Sequence, residues 1–295
     1  MPETKPNLTM KAEVESPWRV AWKRFKKNKL ALLGLFIILI MALMAIFAPW
    51  ISPYDPNETD ILNTKEPPSG EHWLGTDRIG RDLFSRLIYA GRISLTVGLV
   101  SMSISVLIGT ILGLLAGFYG GWIDSLISRL VDIFLSIPFL ILAVTVISVF
   151  GPSLYNIMVV IGVISWPGLC RLVRGQILSL REREFIEAAR ALGSSDRRIM
   201  YRHLLSNTFA PIIVSATLRV ASAILLEAGM SFLGLGVQPP KTSWGAMLQT
   251  ANNVVVLKNM PWFWIPPGIM IMLAVLSINF VGDGLRDALD PKLKE

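Results

Sequence analysis

Long apolar runs alternate with shorter polar segments along most of this chain. Three of these runs, 30–50, 93–123 and 133–170, contain no charged residue. An α-helix rises about 1.5 Å per residue, so roughly 20 apolar residues cross a hydrocarbon core of roughly 30 Å. The third run is long enough for most of two spans, and Gly151-Pro152-Ser153 marks a turn inside it. The pattern predicts an all-α integral membrane protein with six transmembrane helices. The predicted spans lie near 30–50, 93–119, 126–150, 155–175, 208–234 and 262–282.

The composition supports the membrane class. Hydrophobic residues make up 53% of the 295 residues, charged residues only 17%, and the mean hydropathy is +0.55. A soluble core of this size cannot bury so much apolar side chain. The run 30–50 is longer than the roughly 7 to 15 apolar residues of a signal peptide, which favours a retained first span over a cleaved one. Because Cys170 is the single cysteine, an intrachain disulfide is excluded.

The net charge of +7 raises the question of a nucleic-acid partner. The basic residues are instead distributed as membrane topology requires. With the N-terminus inside, 20 of the 28 Lys and Arg residues lie on the cytoplasmic side. We therefore expect both termini to be cytoplasmic and no nucleic acid among the partners.

The chain is expected to form one domain. Residues 1–29 predict a cytoplasmic tail followed by a basic amphipathic helix from Trp18, although a simple positively charged flank fits equally well. Residues 30–295 form the single transmembrane domain. Within it, the outer segment (51–92) is expected to fold against the outer mouth, and the coupling segment (182–207) lies on the cytoplasmic side between the fourth and fifth spans.

Glycine and proline positions predict how the spans pack and bend. Gly109, Gly113 and Gly117 recur every four residues in the second span, which is typical of a face where two helix backbones approach closely. Pro138 and Pro167 each lack a backbone N–H donor and predict bends in the third and fourth spans.

The coupling segment predicts a short helix, a tight turn and a second short helix. Gly193 supplies the left-handed residue that ends the first helix, and Ser195 or Asp196 caps the second. Each helix carries an apolar stripe that must be buried against the spans or against a partner. These stripes are Phe185, Ile186, Ala189 and Leu192 in the first helix, and Ile199, Met200, His203 and Leu204 in the second.

The coupling segment also carries a motif. Glu187-Ala188-Ala189, followed by Gly193, Ile199 and residues 203–207, resembles the coupling motif of ATP-binding-cassette (ABC) importer permeases. Further stretches resemble the C-type permease subunit of the dipeptide, oligopeptide and nickel branch, so that the resemblance covers nearly all of the chain after Trp18. These stretches are 75–87, 232–245 and 282–291.

One position departs from the family pattern. Ser206 stands where the family usually has proline, which removes a rigid exit from the second short helix. Pro211 lies further along and is expected to set the entry of the fifth span instead.

The resemblance implies a type I ABC importer transmembrane fold in the bacterial cytoplasmic (inner) membrane. It implies a transport subunit without its own ATPase site, so this chain holds no cofactor. A second homologous permease, two cytoplasmic ATP-binding subunits that hold ATP and Mg²⁺, and an extracytoplasmic solute-binding protein complete such an importer within the membrane lipid. The residues implied at the ATPase contact are Glu187, Ala188, Ala189, Gly193, Ile199 and His203.

The cargo implied by the resemblance is a dipeptide or oligopeptide. One alternative within the class is a nickel importer permease, because that branch shares these motifs. An alternative from another class is a self-contained secondary transporter or channel, which would leave the coupling segment without a partner.

Two charges, Arg219 and Glu227, interrupt the fifth span. They are separated by about 12 Å along a helix and by about 80° around it, so a direct pair is not expected. One interpretation places them on a substrate path, where they meet the carboxylate and ammonium ends of a peptide; the other, which we favour, makes them ion pairs at a subunit interface. Asp132 is expected to pair with Arg129 at the flank of the third span.

No catalytic chemistry is predicted. The nearest match to a phosphate-binding loop, residues 75–82, ends in Arg81-Asp82 and lies outside the membrane. The two histidines, His72 and His203, fall on opposite sides of the membrane, which excludes a His-rich zinc site. No metal site is expected.

Overall fold

The computed structural model describes residues 17–290, so the predicted tail up to residue 16 and the last five residues lie outside the described part. Apart from an isolated bridge between Thr76 and Asp82, the described chain contains no β pairing. Its α-helices are α1 (Pro17–Phe25), α2 (Lys29–Ile46), α3 (Ala48–Ile51), α4 (Leu83–Tyr119), α5 (Gly121–Ser136), α6 (Phe139–Phe150), α7 (Leu154–Arg181), α8 (Glu184–Ala191), α9 (Asp196–Arg198), α10 (Ser206–Phe232), α11 (Trp244–Leu248), α12 (Val254–Asn259) and α13 (Ile265–Leu289).

Five of the six predicted spans are single helices that are long and apolar enough to cross a membrane: α2, α4, α7, α10 and α13. Helix α4 begins ten residues before the predicted second span. The reason is a helix cap, because the Asp82 carboxylate accepts hydrogen bonds from the Ser85 amide at 2.7 Å and from the Ser85 hydroxyl at 2.6 Å. Helix α4 therefore extends into the outer segment.

The predicted third span, 126–150, is wrong as a single helix. Helices α5 and α6 meet at an angle of 90°. Pro138 cannot donate a backbone hydrogen bond, and it holds the preceding Ile137 in an extended conformation with φ −96° and ψ 127°. The position of the break follows the prediction, but the chain turns sharply where a bent helix was expected.

The glycines of the second span form a packing face, as predicted, and the structure shows that its partner is α7. A Cβ atom at Gly109 would lie 2.9 Å from the Trp166 carbonyl oxygen, and one at Gly113 would lie 2.7 Å from the Cys170 carbonyl oxygen. Because the two backbones are this close, only glycine fits along the line of contact. Helix α7 runs unbroken through Pro167.

The first and last helices pack against one another. A Cβ atom at Gly34 of α2 would lie 2.5 Å from the Ser277 carbonyl oxygen of α13. Helix α1 buries Ala21 and Phe25, with Arg24 donating a hydrogen bond to the Asp290 carbonyl oxygen at 3.1 Å. The basic stretch before the first span is therefore helical, and its apolar face packs onto the protein itself.

The outer segment folds against the ends of the helices through a polar network. The buried Asp77 accepts a hydrogen bond from Arg81 at 2.7 Å, and Arg86 donates to the Pro56 carbonyl oxygen at 3.0 Å. Gly80 has a φ of +80°, and a Cβ atom there would lie 1.7 Å from the Asp60 carbonyl oxygen. The segment is thus tied to α4 rather than forming a separate domain.

Candidate functional site

The coupling segment lies at one end of the helix bundle, here called the inner end. Its first helix, α8, buries Ile186 and Ala189 and leaves Phe185 and Leu192 exposed, the latter by 86%. The predicted apolar stripe of this helix is therefore only half buried. Glu187, Ala188, Leu192 and Gly193 are exposed and form the coupling surface.

Gly193 forms the tight turn that its position predicts. Its φ is +76°, its amide donates to the Arg190 carbonyl oxygen at 2.9 Å, and the Ser194 amide donates to the Ala189 carbonyl oxygen at 3.0 Å. This pair of hydrogen bonds is the Schellman arrangement, which requires a left-handed residue at the glycine position. No atom lies within 4 Å of a Cβ atom placed there, so the backbone conformation alone selects glycine.

The predicted second short helix is wrong as a separate element. Residues 196–232 form one continuous helix, in which Ile199–Leu205 has π-helical hydrogen bonding and α10 follows directly. Ser206 has helical backbone angles of −60° and −36°, and its hydroxyl donates to the Tyr201 carbonyl oxygen at 3.4 Å. The second half of the coupling segment, from residue 196, is therefore continuous with the fifth span, and the helix does not end at Ser206.

The buried residues of the coupling segment pack on the inner ends of the spans. Ile199 and Leu204 are fully buried, whereas His203 is half-buried and its carbonyl oxygen accepts a hydrogen bond from the Asn207 side chain at 2.6 Å. The cluster that holds them comprises Leu114, Phe118, Leu169, Val173, Ile177, Ile186, Ile199, Met200, Leu204 and Ile212. It joins α4, α7, α8 and α10 into one packed unit.

Ion pairs join α5 to α7 near the same end. Arg174 forms two hydrogen bonds to the Asp124 carboxylate, and Arg171 pairs with Asp132. The predicted pair between Asp132 and Arg129 is wrong, because the arginine on the neighbouring helix reaches the carboxylate instead.

Arg219 lies at the middle of α10 and reaches across to α7. Its Nη1 atom donates to the Ser165 carbonyl oxygen at 2.8 Å, and its Nε atom donates to the Ser215 hydroxyl at 3.4 Å. Its Nη2 atom would lie 2.8 Å from a Cβ atom at Gly168. None of the ion pairs found among residues 17–290 includes Arg219.

Glu227 lies near the other end of α10 and is fully buried. Its carboxylate accepts hydrogen bonds from the hydroxyls of Ser231 and Ser243, both at 2.6 Å, and of Ser94 at 3.3 Å. Trp244 extends this network, because its amide donates to the Ser94 hydroxyl at 3.1 Å. Glu227 thereby ties α4, α10 and the start of α11 together.

Arg219 and Glu227 do not pair with each other, in agreement with the prediction. The serine side chains around both charges were not predicted to contact them. Ser243 lies within the 232–245 stretch that carries the family resemblance, and Ser231 directly precedes it. The sequence does contain a signal for these partners, because hydroxyl residues recur in the apolar spans. A hydroxyl group in such a span needs a polar neighbour.

Family comparisons agree with this architecture. Residues 109–295 match the family described as binding-protein-dependent transport system inner membrane component, and residues 16–68 match the N-terminal TM domain of oligopeptide transport permease C. The chain belongs to this permease family. It is therefore a multi-pass inner membrane component of an ABC transporter, of the C type that the sequence motifs indicated.

Three curated relatives illustrate the similarity. The dipeptide transport system permease protein DppC of Alkalihalophilus pseudofirmus is 50% identical over 95% of this chain and 91% of its own length. A putative peptide permease protein of Brucella suis is 44% identical over 91% of this chain and 89% of its own. The glutathione transport system permease protein GsiD of Shigella flexneri is 44% identical over all of this chain and 95% of its own.

The permease also resembles a solved structure. The inward-facing MetNI methionine ABC transporter superposes with a TM-score of 0.57, covering 70% of this chain and 98% of that one at 22% identity. This likeness confirms the predicted type I importer fold.

Proposed function

We propose that this permease is one of two membrane subunits of an ATP-driven importer that moves peptides across the bacterial cytoplasmic membrane. Its partners are a second homologous permease, two cytoplasmic ATP-binding subunits that hold ATP and Mg²⁺, and an extracytoplasmic solute-binding protein. Both termini lie in the cytoplasm. The relatives described above are named for dipeptides, peptides and glutathione, which favours a peptide cargo over nickel.

The proposal rests on one observation: the exposed coupling surface lies directly on a buried, packed cluster. Glu187, Ala188 and Gly193 stand exposed at the inner end, while Ile186 and Ile199 are fully buried in the cluster beneath them. A partner that presses on the exposed turn acts on a rigid body, because the packed interior resists compression. The permease is thus built to receive force from another protein.

The continuous helix provides the route of transmission. Because residues 196–232 form one continuous helix, a displacement of the turn at Gly193 is passed along the helix toward Arg219 and the outer end of α10. Ala189 and Ile199 act as anchors of the coupling surface rather than as direct contacts, and His203 lies at its edge. A self-contained secondary transporter has no use for this arrangement.

Co-purification tests the proposal. We expect the tagged permease to retain a second permease and two ATP-binding subunits in mild detergent, and the complex to hydrolyse ATP faster when the solute-binding protein is loaded with peptide. NiCl₂ in place of peptide should give no stimulation. A permease that purifies alone and binds none of these subunits when they are supplied would contradict the proposal.

A further inference from the structure

Arg219 is a half-buried cation whose hydrogen-bond partners in the described part of the chain are all neutral. A guanidinium has five N–H donors, and in the described part of the chain only the Ser165 carbonyl and the Ser215 hydroxyl accept from it. Because α10 runs from Ser206 to Phe232, Arg219 stands midway along the span. A charge at that depth is costly unless an anion or water reaches it, and it commonly marks a functional site.

A small cavity adjoins the guanidinium. It has a volume of about 40 Å³ and lies between α4, α7 and α10. Most of its wall is apolar, formed by Met102, Ile161, Ala223 and Leu226, and its polar groups come from Ser101, Ser105, Ser165, Arg219 and Ser222. Ser105 is only 1% exposed, and its hydroxyl has no hydrogen-bond partner in the described part of the chain. An unsatisfied buried hydroxyl beside an unpaired guanidinium indicates that the cavity binds a polar group.

The cavity communicates with one exposed face of α10. Ser222 is exposed, and Gly229 continues the same face two turns further along the helix. Ser215 and Arg219 lie on this face on the other side of Ser222. A solute that passes along the face therefore meets serines, a glycine, the exposed Leu225 and, midway, a cation.

We propose that this cavity is a carboxylate-binding subsite on the translocation path, which holds the C-terminal carboxylate of a peptide in transit. This inference rests on the proposed function. The planar guanidinium is suited to a carboxylate, and the unpartnered Ser105 hydroxyl adds a donor. The cavity admits a head group of a few atoms and no more, so the rest of the peptide stays on the exposed face. Its position midway along the span separates it from lipid phosphates, which lie at the membrane surface.

The charge of the site is tested with thiol reagents in the assembled complex. The Ser222→Cys variant, made in a Cys170→Ala background, is treated with an anionic and a cationic methanethiosulfonate reagent of similar size. We expect the anionic reagent to react at least about tenfold faster than the cationic one. A unit charge a few ångströms away in a medium of low dielectric attracts an anion by more than the free energy that a tenfold rate difference requires. Adding Arg219→Gln should abolish the preference. Trialanine should slow the reaction, whereas trialanine amide should not.

Two glycine positions on α7 supply a further test variant and its matched control. Gly168→Ala introduces a Cβ atom 2.8 Å from the flexible end of Arg219, so it should displace the guanidinium and reduce the anionic preference. Gly175→Ala, on the same helix with no atom within 4 Å, should leave the preference unchanged.

Three outcomes would overturn the inference. Equal reaction with both reagents, or a preference that survives Arg219→Gln, would show that the cavity does not attract anions. Loss of the second permease from the Arg219→Gln complex would instead assign Arg219 to an ion pair at the subunit interface. If peptide import fails in the unmodified complex while the anionic preference remains, the proposed cargo is wrong and the anion subsite stands.

Discussion

At the scale of single residues, the intramembrane charges have different surroundings. Glu227 is enclosed by three serine hydroxyls and is fully buried, whereas Arg219 has neutral acceptors and borders a cavity. The pattern of charges in a span shows that polar partners exist, but it cannot show which residues they are. The partners come from α4, α7 and the segment before α11, which are distant in sequence.

Glu227 should contribute to stability through its hydroxyl partners. Glu227→Ala leaves the Ser94, Ser231 and Ser243 hydroxyls without their common acceptor, and each unsatisfied buried group costs about 1 to 3 kcal/mol. We expect a clearly lower thermal midpoint of the detergent-solubilised complex, a smaller loss for Glu227→Gln, and none for Lys241→Ala at an exposed position. An unchanged midpoint with loss of import would place Glu227 on the substrate path instead.

Gly193 should be required for coupling because of its backbone conformation. A β-branched residue at φ +76° is strained by about 1 to 3 kcal/mol, whereas asparagine tolerates this region. We expect Gly193→Val to retain assembly but to lose roughly tenfold or more of its peptide-stimulated ATP hydrolysis. Gly193→Asn should behave like the parent. Normal stimulation of ATP hydrolysis by peptide in the valine variant would show that the turn does not couple the permease to the ATP-binding subunits.

At the scale of elements, the apolar pattern predicts which segments are helical more securely than how they are connected. The predicted glycine face on α4 and the turn at Gly193 are both confirmed, because each depends on local geometry. The 90° break between α5 and α6 and the continuity of residues 196–232 were not predicted. Hydropathy reports which residues are apolar, whereas the direction of a helix after a proline or a turn depends on the helices that pack around it.

Asp132 likewise pairs with a residue on another helix, which sequence spacing could not predict. A carboxylate and an arginine three residues apart on one helix can pair, but Arg171 approaches from α7 and forms the contact instead. Sequence spacing describes only neighbours on one helix.

The contact between α4 and α7 should not tolerate larger side chains. At Gly113 a Cβ atom would lie 2.7 Å from the backbone oxygen of Cys170, which cannot move aside as a side chain can. Gly113→Leu should therefore cost at least about 1 to 3 kcal/mol and reduce the yield of monodisperse complex on size-exclusion chromatography. Gly229→Ala, where no atom lies within 4 Å, serves as the control. Equal yields for both variants would contradict the close packing of these helices.

At the scale of the whole molecule, the permease combines a rigid inner end with polar groups deeper in the span. The coupling surface is exposed, its supporting cluster is packed, and one continuous helix links it to Arg219. Family membership could be predicted from the sequence because the motifs occupy turns and helix ends with specific backbone requirements. The cargo is less directly encoded, since recognition involves side chains from several helices and from other subunits.

In the proposed importer, ATP hydrolysis by the partner subunits acts on the coupling surface and drives import through this permease. The most direct test is uptake of radiolabelled trialanine into proteoliposomes that contain the complete complex and the loaded solute-binding protein. We predict uptake that requires MgATP, persists when ionophores collapse the ion gradients, and is lost in Gly193→Val. Uptake that continues without ATP and stops when the ion gradients collapse would contradict the account.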